Sequence, residues 1–398
     1  MYLNAAILAA VVLTGVLLWS PRLRGSTIWR AMTTPLASII GSGFLVLGPV
    51  LDASYGKYAP AVMAALCLVA YLYGAAVRFN IADIENNAGI RGTSTKAIEQ
   101  LSSGVLGFAY IISVAYYLNL FGAFGVSLTS VNDQTHARLL TTAVFALILF
   151  VGRTRGFKSL ERMEYVSVSI KLAIIAGLLV GLGVYFLGTA KDGGLVFNEP
   201  KLTGWPALAL AFGLIVTVQG FETSRYLSEE YASEVRIQSM RWAQWTSSAI
   251  YMTYICLLAY VFQPGELKLS ETTIVDMMGV VAPILPALLV AAALAAQFSA
   301  AVADTSGSGG LMAEITKGRL TPRMSYVVLV GIGIALTWAA NVFEIISYAS
   351  RAFALYYALQ ASIAAIASMR RRQFVQGTGF VLLAILGMMI AVFGQPVE

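Results

Sequence analysis

The chain has 398 residues, of which 58% are apolar and only 12% are charged, and its mean hydropathy is +0.77. Apolar runs of roughly 20 residues, the length at which a helix crosses a bilayer, recur along the whole sequence. This composition excludes a string of soluble domains and predicts an all-α polytopic membrane protein. The one histidine and two cysteines show no metal-ligand spacing, so we expect no metal site and no cofactor.

The apolar runs predict about twelve transmembrane spans with short polar connections. In chain order they cover residues 4–20, 31–51, 59–80, 103–127, 138–152, 164–188, 205–226, 244–263, 281–316, 324–342, 345–368 and 379–394. The first is predicted to be an uncleaved helix, because its leader Met1-Tyr2-Leu3-Asn4 lacks the positive charge of a signal peptide.

The lysines and arginines predict the orientation. Alternate connections carry 19 of the 26 basic residues, the opposite set carries 5, and only Lys171 and Arg351 fall inside spans. Basic connections face the cytoplasm, so both termini are predicted to lie on the outer side of the membrane. The membrane itself is expected to be the inner membrane of a prokaryote. The net charge of +6 is then topological and does not imply nucleic acid. No phosphate-binding GxxxxGK[ST] motif appears, which disfavours ATP-driven transport by this chain alone.

Two spans contain glycine-bearing interruptions, Gly41-Ser42-Gly43 and Val218-Gln219-Gly220-Phe221-Glu222. Broken helices survive in a membrane only where protein or a water-filled cavity surrounds the freed backbone groups. A pair of such breaks at corresponding places in two halves of a chain indicates the binding site of a secondary transporter. The alternative is close helix packing through small residues.

The order of motifs around these breaks resembles that of the amino acid-polyamine-organocation (APC) superfamily, whose core is the leucine-transporter fold. The similar segments are Gly41-Ser42-Gly43, Tyr73 to Gly89 with Gly92, Glu164 to Leu178, Phe212 to Glu230, Ala303 to Pro322 and Arg370-Arg371-Arg372. The chain departs from the family pattern in lacking a proline at the second-helix exit, in Gly310 where an arginine is usual, and in its additional N-terminal helix.

The resemblance implies two inverted five-helix repeats with one extra helix at each end of the chain. The expected divisions are residues 1–30 for the N-terminal helix and basic loop, 31–188 for the first repeat, 189–204 for an external linker, 205–372 for the second repeat and 373–398 for the C-terminal helix. An odd number of helices per repeat inverts the second repeat, in agreement with the charge distribution.

The breaks are predicted to bind the substrate, with freed amides holding a carboxylate and the second segment accepting an ammonium group. The predicted substrate-binding residues are Ser38, Ile40, Gly41, Ser42, Gly43, Tyr116, Thr217, Gln219, Gly220, Phe221 and Glu222. Glu222 either faces the cavity or braces the unwound segment. Tyr116, like Tyr117 and Asn119, either lines the cavity or packs.

Four residues are predicted to couple transport to an ion: Lys171, Asp304, Thr305 and Ser306. An ionisable group in a membrane is costly and needs a partner or a purpose. Lys171 is expected to pair with Asp304 or with carbonyls near Gly41 and to couple proton movement, unless the pair is permanently charged. A sodium site on the other three residues is the alternative. Arg351 either gates the outer entrance, contacts a substrate carboxylate or extends toward the membrane surface.

The predicted function is cation-coupled secondary transport of amino acids or related small amines, with protons favoured over sodium. The expected partners are the small-molecule substrate, the coupling ion and the lipid bilayer; the oligomeric state is left open. A channel and a transporter-like sensor remain as alternatives. A membrane enzyme is disfavoured, because the chain has almost no histidine or cysteine to supply nucleophiles or metal ligands.

Overall fold

The computed structural model describes residues 2–41, 43–86, 93–154, 157–227, 230–263, 269–270, 272–316 and 318–397, and the regular secondary structure within these ranges is helical. The first half contains α1 (Tyr2–Leu18), α2 (Pro21–Gly25), α3 (Thr27–Ile39), α4 (Gly43–Tyr55), α5 (Ala59–Asn86), α6 (Thr93–Val126), α7 (Gln134–Thr154) and α8 (Phe157–Lys191). The second half contains α9 (Gly204–Gly213), α10 (Ser233–Leu258), α11 (Thr273–Val281), α12 (Leu285–Ile315), α13 (Pro322–Ala339), α14 (Val342–Arg370) and α15 (Phe374–Phe393).

Within these ranges, eight helical stretches are long and apolar enough to cross a membrane, and the apolar helices Gly204–Gly213 and Arg323–Ala339 are shorter. The protein is therefore an all-α polytopic membrane protein. Several helices extend beyond the apolar runs that predicted them, as α6 does by beginning at Thr93. Apolar composition marks only the lipid-facing length of a helix, whereas its backbone hydrogen bonds continue through polar residues.

The span predicted at 281–316 corresponds to α12, which begins at Leu285, and a separate short helix, α11, precedes it. Ala282 ends α11 with φ −160° and ψ 138°, an extended conformation. The residue before a proline is disfavoured in the helical region, and Pro283 follows Ala282. The chain therefore turns here before α12 begins at Leu285.

The first predicted break is confirmed. Helix α3 ends at Ile39, Ile40 leaves the helical region with ψ 54°, and α4 begins at Gly43. Ser42, one of the predicted binding residues, lies outside the described residues.

The second break is wider than predicted. The α-helix stops at Gly213 and is followed by two 3₁₀ helices, Ile215–Val218 and Phe221–Tyr226. Gly220 between them has a φ of 117°, which a glycine adopts without the steric cost that a side chain would impose. The predicted segment Val218–Glu222 is therefore only the centre of a longer non-α stretch.

Helices of the two halves pack in a regular order. Helix α5 packs on α10, α6 on α12, and α7 on α13. At the periphery, α1 packs on α8 and α15 packs on α14. The contact between α1 and α8 is close, since a Cβ added at Gly177 would lie 2.6 Å from the Val11 side chain. The terminal helices thus cover the outside of a bundle whose centre holds the two breaks.

Candidate functional site

The two breaks lie directly against each other. A Cβ atom added at Gly43 would lie 2.6 Å from the Thr217 Cβ, and one added at Gly220 would lie 2.6 Å from the Ser38 Cβ. Both distances are too short for real atoms, so the absence of a side chain at each glycine permits the approach. The glycines therefore serve close packing as well as helix interruption, and the two explanations offered by the sequence apply together.

Tyr251 of α10 bridges the two breaks. Its hydroxyl lies 3.0 Å from the Ile39 carbonyl oxygen and 2.6 Å from the Thr217 carbonyl oxygen, within hydrogen-bonding distance of both. Each carbonyl belongs to a segment whose helical hydrogen bonding is interrupted, and such orphan acceptors need a donor from elsewhere. Sequence analysis did not select Tyr251, because a tyrosine in an apolar helix carries no signal of such a contact.

Lys171 contacts the end of α3. Its ammonium group donates to the carbonyl oxygens of Ala37 and Ile40, both at 2.7 Å, and lies 3.4 Å from Ser299 Oγ. The side chain is fully buried. The end of a helix carries unsatisfied carbonyls and a partial negative charge, both of which favour a cation. Of the partners expected for Lys171, the carbonyls beside the first break are thus directly bonded to it.

Asp304 of α12 also reaches α3. Its carboxylate accepts hydrogen bonds from Ser38 Oγ, at 3.3 Å, and from Ser113 Oγ. Of the two neighbouring candidates, Thr305 donates its hydroxyl to the Ala301 carbonyl of its own helix at 2.6 Å, and Ser306 is half-buried. The structure therefore brings Lys171 and Asp304 to the same end of α3, from α8 and α12, which also pack on each other.

Glu222 is fully buried beside the second break. Its Oε2 atom accepts from the Gly220 backbone N–H at 3.0 Å and from the Tyr357 hydroxyl at 2.8 Å. The Phe221 ring stacks on the Tyr357 ring, with centroids 5.1 Å apart. These contacts favour the bracing role for Glu222, because its carboxylate holds the unwound backbone to α14.

The aromatic pair on α6 lies at the same centre. The Gln219 amide donates to the Tyr117 hydroxyl at 3.1 Å, and the side chain of Tyr117 also faces Gly41. The Tyr116 ring lies 5.1 Å from the Tyr117 ring and is buried. Tyr117, which the sequence analysis also considered for the cavity, contacts the second break through Gln219.

The structure gives Arg351 a contact that the sequence did not predict. Its guanidinium donates to the Val392 carbonyl near the end of α15, at 2.6 Å. The adjacent residue, Ser350, contacts the second break instead: its hydroxyl donates to the Gly213 carbonyl at 2.6 Å and accepts from the Val216 N–H at 3.2 Å. On a helix, neighbouring side chains point to different faces, so Ser350 faces the second break while Arg351 faces α15.

A polar network joins helices at the basic end of the bundle, which we define as the end carrying Arg225. Arg225 forms an ion pair with Glu99 and donates to the Gln360 side-chain oxygen. The Gln360 amide donates to Ser102 Oγ at 2.8 Å, and Asn80 donates to Gln360 Oε1 at 2.8 Å. This network links α5, α6 and α14 to the segment that follows the second break.

No group of three or more metal-binding side chains occurs within the described ranges. Ser228 and Glu229, part of the motif that follows the second break, fall outside those ranges. The site that the structure does describe consists of interrupted backbone, hydroxyl groups and a few buried charges. Such a site is suited to hydrogen-bonding a polar ligand.

A membrane-embedded helical bundle in which two discontinuous helices meet is typical of secondary transporters. A family model described as "APC superfamily transporter" matches residues 21–394. The chain belongs to this superfamily of transporters, as its motifs indicated.

The chain shows two further similarities. The chain is 42% identical over 386 residues to an uncharacterized protein of Aquifex aeolicus (strain VF5), covering 95% of this chain and 94% of that protein. Among solved structures it is similar to MHP1, a nucleobase-cation-symport-1 family transporter, in a closed conformation with bromovinylhydantoin bound. The TM-score is 0.59 at 13% identity, with 93% of this chain and 94% of that chain covered. At this identity the likeness is one of fold.

Proposed function

We propose that this protein is a secondary transporter that moves amino acids or related small amines by alternating access, coupled to protons rather than sodium. The observation that carries the proposal is the direct contact of the two helix breaks, Gly43 against Thr217 and Gly220 against Ser38. Membership of a transporter superfamily supports it. The neighbour of similar fold was solved with a small organic molecule bound, which agrees with a small solute as cargo.

The proposed architecture has two inverted five-helix repeats, at 31–188 and 205–372, followed by a twelfth span at 373–398 and preceded by the N-terminal helix in 1–30. The pairing of α5 with α10, α6 with α12 and α7 with α13 supports it, since these are the second, third and fourth helices of each repeat. The segment 189–204 then connects the repeats on the outside. Rocking of one repeat against the other would expose the breaks to each side in turn.

The proposed substrate site lies beside the contact between the two breaks, where their freed backbone groups are exposed to a ligand. Amides at Gly41, Ser42 and Gly43 bind a carboxylate, and Ser38 and Tyr116 line the same space. Carbonyl and side-chain oxygens of the second segment accept an ammonium group. Glu222 Oε2 is bonded to the Gly220 N–H and the Tyr357 hydroxyl, so its Oε1 atom, together with Gln219, is proposed to meet the ligand.

Coupling is proposed to run through Lys171. As an ammonium, it holds two carbonyls at the end of α3. Loss of its proton removes the charge that attracts these carbonyls, so the inner half of the first broken helix is released. Asp304, which accepts from Ser38 of the same helix, is the second member of the coupling group, with Thr305 and Ser306 beside it. Arg351 is proposed to affect gating through its bond to α15.

The protein is proposed to lie in a prokaryotic inner membrane with both termini outside, so that its basic end faces the cytoplasm. Reaction of single cysteines, placed at Lys191 and at Arg372, with an impermeant thiol reagent on intact cells tests this. Labelling of the cysteine at 191 alone is expected, and labelling of the cysteine at 372 alone would reverse the assigned orientation.

The transport proposal is tested in two steps. Purified protein is screened by thermal shift against amino acids, amines and other small solutes, because a ligand stabilises the state that binds it. The stabilising solute is then measured for uptake into proteoliposomes with a pH gradient and without sodium, using empty liposomes as the control. Saturable uptake and exchange are expected. Conduction without saturation would indicate a channel, and binding without movement would indicate a sensor.

A further inference from the structure

A cavity of about 500 Å³ opens at the end of the bundle opposite Arg225, apart from the contact between the two breaks. It lies between α4 and α9, which lead to the first and second breaks, and is closed at the sides by α11 and the segment after α15. Its size is that of sites that bind small organic molecules. Asp52, Ala53, Lys201 and Gln395 are among the residues that line it.

The walls of this cavity, which we call the outer cavity, are fastened by backbone hydrogen bonds. The Leu202 N–H donates to the Ser54 carbonyl at 3.0 Å, and the Lys57 N–H donates to the Asn198 carbonyl at 2.8 Å. On the other side, the Gln395 N–H donates to the Ala209 carbonyl at 3.0 Å. The segment 189–204 is thus bonded to α4, and the segment after α15 is bonded to α9. These hydrogen bonds fix the walls of the outer cavity.

Asp52 supplies the charge of the outer cavity. It is only 7% exposed, although it lines the cavity. The Asn198 side chain lies near the Asp52 carboxylate, and the Oδ1 atom of Asp52 has no hydrogen-bond partner among the described residues. A buried carboxylate is costly unless cationic or hydrogen-bond donors surround it. An acceptor oxygen left open toward a cavity is therefore suited to a donor that comes from a ligand.

We propose that the outer cavity is a second binding site, in which Asp52 accepts the ammonium group of a small organic cation or zwitterion. Lys201 lines the same cavity and matches the carboxylate of a zwitterion. Asp52 lies nine residues along α4 from Gly43, about 14 Å at the helical rise. That the site receives the substrate before it reaches the breaks rests on the proposed transport function, whereas the binding itself does not.

The test uses purified full-length protein and needs no transport. Both native cysteines are replaced by alanine, and Ala53→Cys places a reporter thiol in the outer cavity. Its rate of reaction with the cationic 2-aminoethyl methanethiosulfonate is compared with that of the anionic 2-sulfonatoethyl reagent, each relative to a free thiol. The cationic reagent is expected to react faster by roughly tenfold, the factor that one charge-assisted hydrogen bond supplies.

Adding Asp52→Asn is expected to abolish this preference, whereas Asp133→Asn, at an exposed carboxylate, leaves it unchanged. n-Butylammonium chloride should protect the thiol, and sodium n-butyrate at equal concentration should not. The neutral methyl methanethiosulfonate and the unfolding temperature check that Asp52→Asn is folded and accessible.

Three results would overturn the proposal: a charge preference that survives Asp52→Asn, equal protection by the two butyl probes, or protection that appears only after Lys201→Ala. The last would mean that Lys201 itself neutralises Asp52. Protection without solute uptake would leave the outer site standing while the transport function fails. Solute uptake without protection of the thiol would support the transport function and contradict the outer binding site.

Discussion

The Lys171 ammonium and the Ser350 hydroxyl hold matching positions against the two broken helices. Lys171 on α8 contacts the carbonyls of Ala37 and Ile40, and Ser350 on α14 contacts the Gly213 carbonyl and the Val216 N–H. The first break presents two acceptors, which a donor-only ammonium satisfies. The second presents one acceptor and one donor, which a hydroxyl satisfies without charge. In the proposed repeats, each is therefore the fifth helix bonding to its own broken first helix.

Replacing Lys171 by methionine is expected to destabilise the protein and to uncouple solute uptake from the pH gradient. The change leaves two buried carbonyls without a donor, at a cost of about 1–3 kcal/mol. Thermal unfolding in detergent measures the first effect, and pH-gradient-driven uptake measures the second. Lys191→Met, at the exposed end of the same helix, is the control. Uptake that still follows the pH gradient in Lys171→Met would contradict the coupling role.

Gly43→Ala is expected to lower stability by about 1–3 kcal/mol, the usual cost of overpacking. The added methyl group would lie 2.6 Å from Thr217 Cβ, and the Thr217 carbonyl is held in place by Tyr251. Gly331→Ala on α13 is the matched control, because nothing lies within 4 Å of its added Cβ. Denaturation of both variants provides the comparison. Equal stability of the two would mean that the breaks separate readily.

Ser350→Ala is expected to lower stability by about 1–3 kcal/mol, because it leaves the Gly213 carbonyl and the Val216 N–H unsatisfied in the protein interior. Ser362→Ala on the same helix should be nearly neutral, since that hydroxyl donates only to the Ala358 carbonyl one turn earlier. The difference in unfolding temperature is the measurement. If Ser362→Ala is as unstable as Ser350→Ala, the stabilising role of Ser350 at the second break is contradicted.

Glu222 and Tyr357 are expected to be energetically coupled. Unfolding free energies of Glu222→Gln, Tyr357→Phe and the double variant should give an interaction energy of about 0.5–3 kcal/mol, as for residues in direct contact. Tyr348→Phe, at an exposed position on the same helix, should add to Glu222→Gln without coupling. Additive behaviour of the Tyr357 pair would show that the carboxylate does not brace the second break through α14.

Residue types with a strong local signal were the ones that the sequence revealed. Gly41 and Gly43 interrupt one apolar run, and Lys171 places a charge within another. All three residues therefore differ visibly from the apolar sequence around them. Tyr251, Ser350 and Tyr357 are ordinary components of membrane helices. Each has a partner more than a hundred positions away in the chain, and no local pattern carries that information.

The sequence by itself determined that this is a helical membrane protein, which family it resembles and which two spans are interrupted, because hydropathy, glycine and buried charge act locally on the chain. The tertiary structure decided which groups satisfy the broken backbone, and it assembled the outer cavity around Asp52 from a helix end, a linker and the C-terminal segment. These depend on distant segments meeting, since an orphaned carbonyl or carboxylate takes whichever partner the packing brings within hydrogen-bonding distance.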